Sequence, residues 1–309
     1  MKNKLNRRDF CQQTLFSSIA LALPGTTQAL GKFARAPMKP KEGPQIVDTF
    51  VHLFEWPFRK LKYSGTEPLV QKLKKHQIRE AWAGNFEALF HKDIDGTNRR
   101  LMEECRRYDP DFLKPIGSVN PTWPDWEEDL RRCHEEYHMA GIRVHPDYQM
   151  IDLASTEFRS LVEKAAERNM FVQIAGDLED PRHHHPLVNT RNHSFEPIVD
   201  VARAVPQARI QLVHWNRKVR ADLLSRLVEL PNIVFDSSRI EGAGELGALM
   251  NGESWYGPRE SIPADRFLFG SHAPFFAVES ALLKLFEHYM TVGQLEQVMY
   301  KNANGFYNV

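Results

Sequence analysis

Eight short apolar runs recur along this chain, each followed by a stretch of helical periodicity, and that alternation restricts the fold more than any other feature. The strand-like runs are 46–53, 78–85, 113–119, 142–145, 170–175, 210–214, 233–236 and 267–270. Helical patterns cover 66–75, 98–108, 124–139, 155–168, 195–204, 221–230, 244–250 and 278–290, and a closing helix falls near 294–300. Leu69, Val70 and Leu73 form one inward stripe, and Leu101, Met102 and Cys105 form another. Ser155 supplies a helix N-cap, and Gly141 stops the helix before it. Strand and helix in strict alternation require a parallel sheet. Eight such units in residues 45–309 predict one α/β domain, a (β/α)8 TIM barrel, in preference to a doubly wound sheet. At 309 residues and 42% hydrophobic composition, the chain can bury a core of that size.

The first 44 residues do not share the pattern. Residues 1–29 have a basic start, Arg7 and Arg8 followed by Asp9 and Phe10, an apolar run over 15–23, and Thr27, Gln28 and Ala29. This segment resembles a twin-arginine signal peptide cleaved after Ala29. The resemblance implies the twin-arginine export machinery as a partner and a periplasmic or otherwise extracytoplasmic location. The apolar run is too short and too rich in Ser, Thr and Ala to span a bilayer, so no membrane anchor is expected. Residues 30–44 read as a basic, Pro-containing linker.

Charge is balanced, with 40 basic and 40 acidic residues, which argues against a nucleic-acid or anionic-membrane surface. Loss of the signal segment leaves 36 basic against 39 acidic residues, a mildly acidic chain. Cys11 lies within the signal. Cys105 and Cys133 each sit in a helical pattern, and either a disulfide in an oxidising compartment or two buried thiols satisfies them. Oligomeric state stays open, with a homo-oligomer among the alternatives.

In a barrel of this kind chemistry sits where the strands finish. Those ends carry His52, Asn85, Asn120, His145, Ala175 with Asp177 just beyond, His214, Asp236 and His272. Four imidazoles at eight strand ends exceed what core filling requires and point to a polar site. Period-two alternation in the first strand puts Ile46, Asp48, Phe50 and His52 on one side and Val47, Thr49 and Val51 on the other. Arg143 shares the parity of His145, so it is either a cation for an acidic substrate or a structural Arg paired inside the barrel. Trp56, Phe58, Trp215, Phe275 and Phe276 form either a wall for a ring substrate or ordinary core. The run His183, His184 and His185 is a secondary metal candidate, against which stands a solvated surface tract.

The segments IVDTFVHL, GIRVHP, IQLVHWN, DRFLFGSHAPF and KNANGFY resemble the amidohydrolase-related family of metal-dependent hydrolases. The resemblance is to the branch that includes sugar lactonases, pyrone-dicarboxylate lactonase and non-oxidative decarboxylases. It covers nearly all of the chain beyond residue 45, and the last strand and closing helix are its most specific parts. Members of that family begin with Asp-x-His-x-His, add a His at the fifth and sixth strands, and finish with Asp in Gly-Ser-Asp-x-Pro. The matching positions here are Phe50, His52, Ile174 or Ala175, His214 and His272, so only His52 and His214 keep the expected type.

Three readings follow from the resemblance. The leading one is an exported hydrolase acting on a small lactone or ester through an altered divalent-metal site. It has His52, His214 and His272 as ligands and zinc as the preferred ion. His272, His214, Asp177 and His145 would then be the catalytic groups, Arg143, Trp56 and Trp215 the substrate contacts, and Asp48 the group that fixes an imidazole tautomer. The second is metal-free lactone hydrolysis with His272 or His214 as base. The third is a barrel without catalysis that binds a small ligand, with no cofactor.

Overall fold

The structure is a computed structural model, and it describes residues 45–242, 244–253, 260–287 and 290–307. The signal segment and linker read from the sequence lie outside the described residues. Strand β1 (Ile46–Leu53) is followed by α1 (Thr66–Lys75), β2 (Ile78–Asn85), α2 (Ile94–Tyr108), β3 (Leu113–Pro115) and α3 (Trp126–Glu135). Next come β4 (Gly141–Val144), α4 (Thr156–Glu167), β5 (Phe171–Ala175), α5 (Ile198–Ala204), β6 (Ile210–Val213) and α6 (Ala221–Val228). The chain ends with β7 (Ile233–Asp236), α7 (Glu245–Met250), β8 (Phe267–Leu268), α8 (Val278–Phe286), α9 (Val292–Glu296), a π-helical turn and α10 (Asn302–Tyr307).

All pairings are parallel, β1-β2-β3 in one run and β4-β5-β6-β7-β8 in the other. Two seams join these runs into a closed barrel. At one seam the Gly117 N–H donates to Gly141 O at 3.1 Å and the Arg143 N–H to Gly117 O at 2.7 Å. At the other, the N–H groups of Thr49, His52 and His272 donate to the carbonyls of Phe269, Ala273 and Phe50. The expected (β/α)8 barrel is what forms, as its alternation of strands and helices requires.

Several element ends differ from the periodicity for local reasons. Helix α2 starts before residue 98 because Asp93 accepts the Gly96 N–H and caps an earlier turn. Ser155 caps α4 as expected, accepting the Phe158 N–H. Strand β6 stops at Val213 because His214 takes a left-handed backbone, φ 56°. Parity fails in β1, where the register shifts between Asp48 and Val51. The Asp48 carboxylate accepts the Phe50 N–H across this bulge, and Thr49, expected on the outer side, reaches inside the barrel instead.

The interior is layered. Val47, Trp82, Ile116, Phe171 and Leu268 fill the floor, closed by Phe306 of α10. Above them Arg143, Gln173 and Gln211 lie abreast on β4, β5 and β6, in a polar layer completed by Thr49 and Asp236. Thr49 Oγ1 donates to Asp236 Oδ2 at 3.0 Å, and Gln211 Nε2 donates to the same oxygen at 3.0 Å. Such a layer is tolerated in a buried core because its members satisfy one another. Phe50 sits above it against Ala175 and Val213, just below the mouth. Among the described residues no helix is long and apolar enough to cross a membrane.

Candidate active site

The structure brings together the four strand-end histidines. His52, His145, His214 and His272 are 0–3% exposed. The rings of His214 and His272 meet edge to face with centroids 4.2 Å apart, and those of His52 and His145 lie 5.4 Å apart. His52 and His272 are separated by 6.1 Å.

Hydrogen-bond partners assign the tautomers. His214 Nδ1–H donates to Gly176 O at 2.8 Å, which leaves a bare lone pair on Nε2. His272 Nε2–H donates to Leu178 O at 2.9 Å and leaves its lone pair on Nδ1. His52 Nε2 lies 3.3 Å from both the Arg143 guanidinium and His145 Nε2. It therefore accepts, and the proton of His52 stands on Nδ1, where it has no partner. His145 donates through Nε2 and keeps an unpartnered Nδ1.

Burial holds all four imidazoles well below the ordinary histidine pKa, and neighbouring positive or titratable groups add to it. Arg143 is the next cause for His52 and His145, and the His272 ring is the next for His214. At neutral pH the cluster is a set of neutral bases.

The expected metal triad is not assembled. The Phe50 ring stands among its three members, 4.9 Å from the centroids of both His52 and His214 and stacked at 5.3 Å on His272. The Arg143 guanidinium lies 4.2 Å over the centre of the same phenyl ring. An apolar ring thus stands among the three imidazoles, and the lone pair of His52 is already engaged by Arg143 and His145. Among the described residues no three His, Cys, Asp or Glu side chains are placed to hold a metal ion. This donor set does not fit zinc coordination by His52, His214 and His272.

Other expected roles are also corrected. Arg143 is 1% exposed and donates to Gln173 Oε1 at 2.7 Å, Val51 O at 2.8 Å, Trp82 O at 3.2 Å and Thr49 O at 3.4 Å. No donor remains for a substrate, so it is the structural Arg of the barrel, and a Cβ on Gly84 would collide with it. Asp48 fixes no imidazole; besides the Phe50 N–H it accepts the Ser271 N–H and ties the bulge to the chain after β8. Asp177 turns outward and pairs with Lys218 at 2.9 Å. Trp215 points into the core, where its Nε1–H donates to Asp236 O and its ring meets Phe235. Cys105 and Cys133 are free, buried thiols, the second of the two states the sequence allowed.

Trp56 belongs to a roof over the cluster, together with Phe86, Tyr148, Leu178 and the half-buried Phe58 and Phe275. His52 stacks on Phe86 at 4.5 Å and His272 on Phe275 at 5.0 Å, so the roof rests directly on the imidazoles. The buried Glu179 carboxylate pins it, pairing with Arg59 and accepting from Tyr148 Oη at 3.3 Å. His185 stacks on Phe58 and His184 meets the edge of Tyr148, so these two loop histidines pack on the roof.

Arg239 escaped the sequence reading. It lies three residues past β7 with φ 57°, is 7% exposed, and donates to Asp177 O. Its charge also depresses the pKa values of His214 and His272. Arg239 joins Asp177, His214 and His272 as a non-glycine residue held left-handed just beyond a strand of this sector. Each costs about 1–2 kcal/mol, a strain that clusters at functional sites.

A model of the amidohydrolase family matches residues 48–309. Among solved structures, a 2,6-dihydroxybenzoate decarboxylase from Rhizobium aligns with TM-score 0.63 and 15% identity, covering 86% of this chain and 99% of its own. A dihydroxybenzoic acid decarboxylase from a Polaromonas species, with bound manganese and 2-nitroresorcinol, aligns with TM-score 0.66 and 14% identity, over 86% of this chain and 97% of its own. A 5-carboxyvanillate decarboxylase from Novosphingobium aromaticivorans with bound manganese gives TM-score 0.61 and 14% identity, over 87% of this chain and 98% of its own. At these identities the likeness is one of fold. No curated protein matches the sequence. With the family model spanning almost every element of the barrel, the chain belongs to the amidohydrolase family.

Proposed function

We propose that this protein hydrolyses a small lactone or ester by neutral imidazole chemistry, without a metal ligand triad. One observation carries the reading: two buried lone pairs, His214 Nε2 and His272 Nδ1, have no partner although their rings are only 4.2 Å apart. A buried acceptor left bare costs about 1–3 kcal/mol, so two side by side suit a site that meets a donor during its work. In the hydrolysis, His214 Nε2 takes a proton from water as the water oxygen bonds to the substrate carbonyl carbon. His272 Nδ1 accepts the second hydrogen of that water as a hydrogen bond and orients it. The Nδ1–H of His52 donates to the carbonyl oxygen as negative charge develops there. Collapse breaks the C–O bond to the leaving oxygen, which takes the proton back from His214. Substrate reaches these groups when the roof pinned by Glu179 opens.

Decarboxylation is the second reading, favoured by the fold likeness to decarboxylases. A screen of lactones, aryl esters and ortho-hydroxybenzoic acids, run in chelator, separates the two. Turnover of lactones or esters that His214→Asn abolishes supports hydrolysis. Release of carbon dioxide alone overturns it in favour of decarboxylation, and no turnover by the parent leaves a ligand-binding barrel.

We also propose export by the twin-arginine route, on the strength of Arg7 and Arg8 and the apolar run that follows them. Retention of an Arg7→Lys, Arg8→Lys double variant inside the cell, with the parent outside it, supports this. Equal distribution of the two would sink it.

A further inference from the structure

Beside the histidine cluster, between the chain that leaves β7 and helix α8, lies a cavity of about 30 Å3. Ser237, Ser238 and Arg239 line one wall, Ser271 lies at the next strand end, and Ser280 and Lys284 face them from α8. Its chemistry is that of donors. The Arg239 side chain is 7% exposed, yet its Nε–H has no hydrogen-bond partner. Ser237 Oγ accepts the Gly270 N–H at 3.2 Å, which leaves its own O–H to donate. Lys284 is partly buried, within electrostatic reach of the Arg239 cation and of Glu241. The exposed Glu241 is the one carboxylate on the lining, so two cations face one anion.

We propose that this cavity binds a small oxyanion, a carboxylate or phosphate group, held between Arg239, Lys284 and Ser237. A buried guanidinium N–H left unpaired is costly, and an acceptor-only oxyanion is the chemical class that satisfies an N–H, an ammonium and a hydroxyl together. A cavity of that size suits a small ion or a single anionic group. The Lys284 and Ser237 side of the site is independent of the hydrolysis proposed above, because neither touches the imidazoles' hydrogen-bond partners; Arg239 is shared with that site through the Asp177 carbonyl.

The test is calorimetric titration of the full chain with inorganic phosphate and, separately, acetate, against chloride at equal ionic strength. We expect saturable binding of at least one oxyanion, and the stronger of the two identifies the group. Lys284→Gln, on a helix surface, should weaken that binding about tenfold. Arg239→Gln should abolish it, but that variant also releases the Asp177 carbonyl, so the Lys284 variant decides if it folds poorly. Titrations indistinguishable from chloride, or a folded Lys284→Gln protein that binds like the parent, would overturn the assignment.

Discussion

His214 and His272 hang from the same short piece of backbone: one donates to the carbonyl of Gly176 and the other to that of Leu178, two residues on. Arg239 takes the carbonyl between them, that of Asp177. Three consecutive carbonyls after β5 thus orient groups delivered by β6, β7 and β8. Each imidazole presents its free lone pair because its N–H is already committed to this segment. Positioning of this kind matters because proton transfer is sensitive to sub-ångström placement of the base.

Replacement of His214 by Asn should lower kcat by about 10²–10⁴-fold on any lactone or ester the parent hydrolyses. His272→Asn should lower it less, since the proposed mechanism asks His272 only to orient the water. Asn tolerates the left-handed backbone both histidines adopt, so circular dichroism should show a folded barrel in each case. A rate unchanged in the His214 variant would remove it as the base.

The pH dependence follows from burial. His214 titrates well below 6.5 in the folded protein, so its active, neutral form persists at neutral pH and is lost only as pH falls through that depressed value. We expect kcat/KM to be level from pH 8 down to 6.5, with its acid limb below that. Stability carries two opposed trends. The four depressed histidines lose stability as pH falls below 6.5, because the unfolded chain takes up protons that the folded one refuses. Burial raises Asp48 and Asp147 to about 7 and Asp236 to about 6, so the folded chain holds protons that the unfolded one releases. Those carboxyls gain stability as pH falls from 7 towards 3.8. Urea midpoints should therefore change little between pH 7 and 5, where four histidines alone would cost up to about 1.4 kcal/mol each per pH unit.

Arg143→Met should destabilise the barrel by about 3 kcal/mol or more, because three backbone carbonyls and Gln173 Oε1 lose their donor in a buried layer. Urea unfolding measures it. A loss confined to KM, with stability intact, would instead make this Arg a substrate contact.

Glu179→Gln should loosen the roof. The parent's four imidazoles, 0–3% exposed, should react slowly with diethyl pyrocarbonate, and the variant should react faster while staying folded. Equal rates would mean that Glu179 does not pin the roof.

The barrel was legible because strand and helix periodicity survive any change of site chemistry, and the four histidines were legible because each stands at a strand end. Phe50 was recognised as no ligand, but a sequence does not show that its ring occupies the space between the imidazoles. The same bulge that carries Phe50 inward turned Thr49 inward too, against the parity of β1. Trp215 follows a left-handed residue, which redirects it from the mouth to the core. Arg239 was missed because it lies three residues beyond its strand; the Ser-Ser-Arg cluster after β7 is the signal that would have found it. Gln173 and Gln211 did not enter the sequence reading, because only the strand register shows that these mid-strand polar residues lie abreast in the buried layer that positions Arg143.

The most direct test of a metal-independent imidazole site is to measure metal content and hydrolysis on one sample, purified without an affinity His tag and dialysed against chelator. With Phe50 standing among the imidazoles and Arg143 engaging the lone pair of His52, we expect well under one zinc, manganese or iron per chain and an undiminished rate. Activity that disappears with chelation and returns with one equivalent of a divalent ion would contradict the account.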